Sequence, residues 1–321
     1  MNPTPRLVLA VMALGLAACG SSVAPLPTLT RLPPALSPTA ASPASTSTSL
    51  PAPPTVTLPT QTLPPPINPN PQQVVLASNL DAPDDLALAP DGSIYFSDTQ
   101  DGTVTRLTPD GQLLTVISGL NVPEGIVLLP NGSLIVVEQG WNRLDQYDPA
   151  TNRLSWFVRL VNDTTQEGVD GITLDSWDPQ AVSVIIPDSP NGTLLRASLD
   201  GQKVTLLAKG FTRPTGAWAE ADGSLLVADE NGNALFRVHP DGTSEKLADL
   251  PSPDDVVEDQ AGNIFVCTLG DGAVHWISAT TREDTILAKA FINPQGLSFD
   301  LKGNLVVTDP GHHQLVQLVI H

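Results

Sequence analysis

A four-residue motif returns six times along this chain, and that repetition limits the available folds more than any other feature. It reads proline or valine, a polar residue, Gly or Asp, then an aliphatic. The copies are Pro83-Asp84-Asp85-Leu86, Pro123-Glu124-Gly125-Ile126, Val169-Asp170-Gly171-Ile172, Pro214-Thr215-Gly216-Ala217, Pro253-Asp254-Asp255-Val256 and Pro294-Gln295-Gly296-Leu297. Their spacings are 40, 46, 45, 39 and 41 residues. A period near forty that carries four short apolar segments is what one blade of a β-propeller requires.

The second copy shows the blade most clearly. Residues 125–129 read as an inner strand, Pro130-Asn131-Gly132 as a turn, and 133–138, 143–148 and 153–158 as three further strands. The same turn recurs as Pro90-Asp91-Gly92, Ala221-Asp222-Gly223, Gln260-Ala261-Gly262 and Leu301-Lys302-Gly303, where glycine supplies the positive φ. The last copy ends after its third strand, 315–320, while an unassigned strand, 73–78, precedes the first copy. Pairing the two completes a sixth blade and closes the ring by main-chain hydrogen bonds. The expected fold is therefore all-β, a six-bladed propeller over residues 74–321 closed by its N-terminal strand.

What precedes the propeller cannot build a core. Residues 21–73 are dense in Pro, Ser, Thr, Ala and Leu with Arg31 as their single charge, which is linker composition. Residues 1–18 carry Arg6, an apolar run over 7–16 too short to span a bilayer, and then Leu16-Ala17-Ala18-Cys19. This start resembles a bacterial lipoprotein signal, which implies cleavage before Cys19 and lipidation of its thiol. An ordinary signal cut after Ala18 is the alternative, and either one takes the protein out of the cytoplasm. The expected organisation is a signal over 1–18, a lipid-anchored linker over 19–73 and a monomeric propeller held away from the membrane.

With 15 Lys and Arg against 34 Asp and Glu, the net charge of −19 argues against a nucleic-acid partner and favours cations. Only one cysteine besides Cys19 exists, Cys267, so the propeller has no internal disulfide to form. Its repeat equivalents are Ser97, Val137, Pro187, Ala228 and Thr308, which makes Cys267 a packed strand residue. The five histidines show no zinc spacing, and His312-His313 reads as an exposed loop pair. No Gly-x-Ser-x-Gly elbow and no phosphate-binding glycine loop is present.

Chemistry concentrates instead on the motif. Inner strands surround the central channel, so the repeat sets Asp84, Glu124, Asp170, Thr215, Asp254 and Gln295 around one mouth, with Asp85 and Asp255 beside them. Unpaired by any Lys or Arg nearby in sequence, these acids would repel one another unless protonated, solvated or bridged by a cation. A hard divalent cation with oxygen ligands, Ca²⁺ foremost, fits such a ring. A second recurring acid ends the second strand of five blades, Asp98, Glu138, Asp188, Asp229 and Asp309, with Thr268 the exception. It is expected to accept backbone N–H bonds in the turn that follows.

The chain from about residue 74 onward resembles the regucalcin/gluconolactonase-like (senescence marker protein) propellers and, equally, the NHL-repeat group. The resemblance is clearest over Pro253-Asp254-Asp255-Val256 with Gly262-Asn263-Ile264-Phe265-Val266, and over residues 186–196. Lactonases of this kind hold a divalent cation in the channel mouth with two acids and two asparagines. By repeat position the resemblance implies Asp84, Asp170, Thr215 and Asp254 as metal ligands, with Asp170 and Thr215 standing where asparagines are usual. It also implies hydrolysis of a small lactone or ester, with Asp254, Asp170 and Glu124 as candidate catalytic groups. The NHL resemblance implies a non-enzymatic module that binds a ligand or an extracellular protein. A lyase that uses a channel-mouth histidine has no histidine at any ring position to support it.

Overall fold

Each motif copy opens, or immediately precedes, the inner strand of a four-stranded antiparallel sheet, and six such sheets are formed. The computed structural model describes residues 66–161, 167–177 and 182–321. The signal over 1–18, Cys19 and most of the linker lie outside them. Five blades are continuous in sequence, over 83–118, 123–159, 173–209, 214–249 and 253–289. The sixth takes Leu297–Phe299, Leu305–Asp309 and Gln314–Val319 from the C-terminal end and Gln72–Ser78 as its outer strand.

The closure expected from the unpaired strand is present. Gln72 pairs with Val319 and Ser78 with Gln314 in an antiparallel ladder. Docking begins earlier than the strand: Ile67 packs against the core of the last blades, and the Asn68 N–H donates to the Ile320 carbonyl at 2.8 Å. The ring is thus closed by main-chain pairing rather than by a covalent bond.

The motif itself is a β-bulge in four blades. Pro83 pairs with Asp98 and Leu86 with Phe96, so Asp84 and Asp85 stand opposite the single residue Ser97. The same offset follows Pro123, Pro214 and Pro253. A bulge frees a backbone N–H and re-aims the side chain beside it. Here the opposite side chain catches the freed group: Ser97 Oγ accepts from Asp85 N at 3.0 Å, and Cys267 Sγ accepts from Asp255 N at 3.3 Å. In the sixth blade Thr308 Oγ1 accepts from Gly296 N at 2.7 Å. Cys267 is fully buried in this structural role.

Neighbouring inner strands are stitched to one another at the same level. Gly125 N donates to Asp170 O, Gly171 N to Thr215 O and Gly296 N to Asp84 O, at 2.9 to 3.0 Å. A Cβ on Gly125 would lie 2.7 Å from Asp170 O, and one on Gly216 would collide with Asp254 O. Glycine is therefore required there for close approach, not for an unusual φ. Where Asp replaces the motif glycine, its carboxylate makes the bridge: Asp85 accepts from Ile126 N and Asp255 from Leu297 N, both at 2.9 Å.

The core lies between blades. Val104, Ile117 and Leu120 of the first pack against Ile126, Leu134 and Val136 of the second, and Phe265 of the fifth against Leu297, Leu305 and Val316 of the sixth. Each such buried aliphatic or aromatic side chain contributes about 1.5–3 kcal/mol.

The recurring second-strand acids do accept backbone N–H bonds, though chiefly from the connection entering their own blade rather than from the turn that follows. Asp98 takes Asp81 N and Ala82 N, Glu138 takes Asn121 N, Asp229 takes Thr212 N and Arg213 N, and Asp309 takes Ile292 N. The second strand runs back toward the mouth, which brings its last side chain under that connection. Only Asp188 serves the following turn alone, through Asn191 Nδ2 and Thr193 Oγ1.

Candidate cation site at the channel mouth

The bulges of four blades, and the segments leading into the inner strands of the third and sixth, set the second motif residues around the mouth of the channel. Asp84, Glu124, Asp170, Thr215 and Asp254 are all buried there. Among the described residues, Asp84, Glu124 and Asp170 form a group whose candidate ligand oxygens all lie within 4.8 Å of one another. Asp254 stands on the same ring and feels the charges of Asp170 and Asp84. Thr215 turns its hydroxyl to the backbone, donating to Asp254 O at 2.9 Å. Glu124, a candidate catalytic group rather than a ligand by the sequence resemblance, belongs to the three-carboxyl group.

The ring acids lack a basic partner nearby in sequence, but the fold brings one from a distance. Arg213 Nη2 donates to Asp170 Oδ2 at 2.6 Å and Arg213 Nε to Glu230 Oε2 at 2.6 Å, while Glu167 approaches to 3.6 Å. Arg213 precedes Pro214, which favours an extended backbone. Its N–H is held by Asp229 and its carbonyl by Glu230 N, so the side chain reaches across to the third blade. Sequence reasoning looked for partners nearby along the chain, and Asp170 is 43 residues away.

Crowding of like charges away from water decides the protonation of the group. Burial, reinforced by the charge of Asp170, holds the Asp84 carboxyl well above the usual carboxylate range. Glu124 is raised well above its ordinary value by burial and then by Asp84 and Asp170. Burial lifts Asp170 to about 6, with the Arg213 guanidinium opposing the rise. Asp254 is raised by burial and by the charges of Asp170 and Asp84. Without a further cation, burial and mutual repulsion favour the protonated forms of these carboxyls.

Below the ring, Asp85 and Asp255 line both a small space of about 10 Å³ and a wider cavity of about 250 Å³. The small space is bounded by Asp84, Asp170, Thr215, Asp254 and Gln295 and has room for about one water or ion. The wider cavity is lined further down by Leu128, Leu174, Trp218 and Ser298. Burial lifts Asp255 to about 7. The donor set of the ring is all oxygen and mostly carboxylate, which fits a hard divalent cation and no soft one. The histidines stand apart from this set: His312 bonds Asp309, His313 bonds the Asp81 carbonyl, and His275 lies between Asp271 and Asp284.

Fold and site together define a six-bladed β-propeller with a carboxylate-lined channel mouth. It has the fold of gluconolactonase- and regucalcin-like propellers. A calcium-binding protein, regucalcin, from Agrobacterium tumefaciens matches with a TM-score of 0.65 and 17% identity, over 78% of this chain and 94% of the other. A gluconolactonase from Xanthomonas campestris matches at 0.63 and 15%, over 78% and 89%. Virginiamycin B lyase from Staphylococcus aureus matches at 0.59 and 13%, over 78% and 99%. These likenesses establish the fold. No family model matches the sequence. No curated protein matches it either.

Proposed function

We propose that this protein binds one hard divalent cation, Ca²⁺ by its donor set, at the propeller mouth and hydrolyses a small lactone or ester there. The observation that carries this reading is the buried group of Asp84, Glu124 and Asp170, whose oxygens lie within 4.8 Å of one another. These three residues would hold the ion, with Asp254 and Thr215 completing the ring around it. When bound, the ion would polarise a carbonyl as a Lewis acid. Asp254 lies outside the three-carboxyl group on the same ring, and is the candidate to accept a proton from water once a bound cation favours its ionised form. Glu124 and Asp170 fix the charge of the ring, and Asp170 is itself held by Arg213. The calcium-binding and gluconolactonase neighbours support the reading, and the lyase reading lacks a histidine on the ring.

The sequence of residues 1–19 supports placing the protein outside the cytoplasm on a lipid anchor at Cys19, with residues 19–73 as its stalk. Loss of lipid incorporation and release to the soluble fraction in Cys19→Ala tests that location. A second reading, a cation-binding display module without turnover, is favoured by the size of the space enclosed at the ring, about 10 Å³, which admits an ion but not a lactone. A screen of small lactones and aryl esters, run on the wild type with and without chelator and on Asp254→Asn, separates the two. Chelator-sensitive turnover lost in Asp254→Asn supports hydrolysis. Calcium binding without turnover on any substrate supports the display module, and neither binding nor turnover sinks both.

A further inference from the structure

Arg213 is the cation already present at the mouth. Its guanidinium is held on three sides: Asp170 Oδ2 and Glu230 Oε2 at 2.6 Å each, and Glu167 at 3.6 Å. Its backbone is pinned by the Asp229 carboxylate and by Glu230 N. The side chain is only 11% exposed, so it is a fixed part of the ring rather than a surface arginine in passing contact. Its charge is permanent at any working pH. It also takes one of the two oxygens of Asp170, a member of the three-carboxyl group.

We propose that Arg213 is a built-in competitor of the divalent cation, a positioning residue that claims Asp170 Oδ2 and limits how tightly the ring holds the ion. This rests on the cation reading of the site. A salt bridge of structural value alone predicts that its removal loosens the ring and weakens binding. A competitor predicts the opposite sign. Single and double positive charges about 6 Å apart repel by about a factor of ten in affinity even at the dielectric constant of water, and by more in a buried site. Loss of the charge also returns Asp170 Oδ2 to the group and leaves Glu230 to add its field.

The test is titration calorimetry with CaCl₂ at pH 8 on the whole mature protein, as wild type, Arg213→Met, Arg213→Gln and Arg213→Lys, with circular dichroism to confirm folding. Gln keeps an amide for Asp170 without charge, and serves if Met does not fold. Both neutral variants are expected to bind calcium at least tenfold more tightly than wild type. The Lys variant, which keeps the charge, should stay within about threefold of wild type. Calcium binding by the neutral variants but not by wild type supports the competitor and removes the cation reading for the native protein. Wild-type binding with equal or weaker binding in folded neutral variants overturns the competitor and leaves the cation reading standing. No binding by any of them overturns both.

Discussion

Gly125→Ala isolates the contact that holds neighbouring blades together. Gly125 has no positive φ, so alanine in open space would be neutral or would stabilise by about 0.4–1 kcal/mol through the unfolded chain. The site is not open. The new Cβ would stand 2.7 Å from Asp170 O and Ile172 N and 2.8 Å from Gly171 C, all backbone of the next blade. Relieving that overlap costs about 1–3 kcal/mol. It also loosens the Gly125 N to Asp170 O bond of 3.0 Å, worth about 1 kcal/mol. The net expectation is a loss of about 2–3 kcal/mol, read as a lower urea midpoint at unchanged slope. Gly132→Ala is the control: its surroundings are open and only its φ of +83° opposes alanine, so about 1 kcal/mol is expected. Because Gly125 lies next to Glu124, any calcium binding should weaken in Gly125→Ala and not in Gly132→Ala. A Gly125→Ala protein as stable as wild type refutes the stitched inner ring.

With chelator present, the protein should be more stable at pH 5 than at pH 8. Burial raises Asp255 from 3.8 to about 7 and Asp170 to about 6, so the folded state binds these protons more tightly than the unfolded chain does. That stability is present at low pH and is lost as pH rises from about 4 to about 7; melts showing a rise over that window would contradict it. Cys267→Ser should cost less than about 1.5 kcal/mol, since Ser97 makes the same bond to the bulge N–H of the first blade, and denaturant melts check it. Thr308→Val should cost about 1–3 kcal/mol, because it leaves Gly296 N without its side-chain acceptor and removes the donor to the Asp84 carbonyl, again read by denaturant melts.

The blades were legible because each motif copy repeats both its chemistry and its distance to the next turn. The closing strand was legible because the last blade lacked one strand and the segment before Pro83 supplied one. The bulge was not: residues 83–86 look like ordinary strand, and only pairing with residues 96–98 reveals the offset. Nor was the bridging role of Asp85 and Asp255, which depends on which blade comes next in space. Arg213 was missed although a signal existed. Aligned on the motif, the residue before each copy is Ala82, Val122, Gly168, Arg213, Ser252 or Asn293, so one blade alone sets a cation there. The recurring acids were read toward the wrong loop because local turn chemistry suggested a near partner, whereas the strand carries them to a connection 16 to 17 residues earlier.

The central claim is that the mouth holds a divalent cation, and metal content tests it directly. Elemental analysis of the purified protein, paired with thermal melts with and without chelator, should find close to one equivalent of calcium or a similar ion. Chelation should lower the melting temperature, by the equivalent of about 3 kcal/mol if the ion had been present at a hundred times its dissociation constant. In Asp84→Asn both the metal and the chelator effect should be lost. A wild-type protein without metal, whose melt does not respond to calcium or to chelator, would contradict the claim and leave the ring as a protonated, solvated channel mouth.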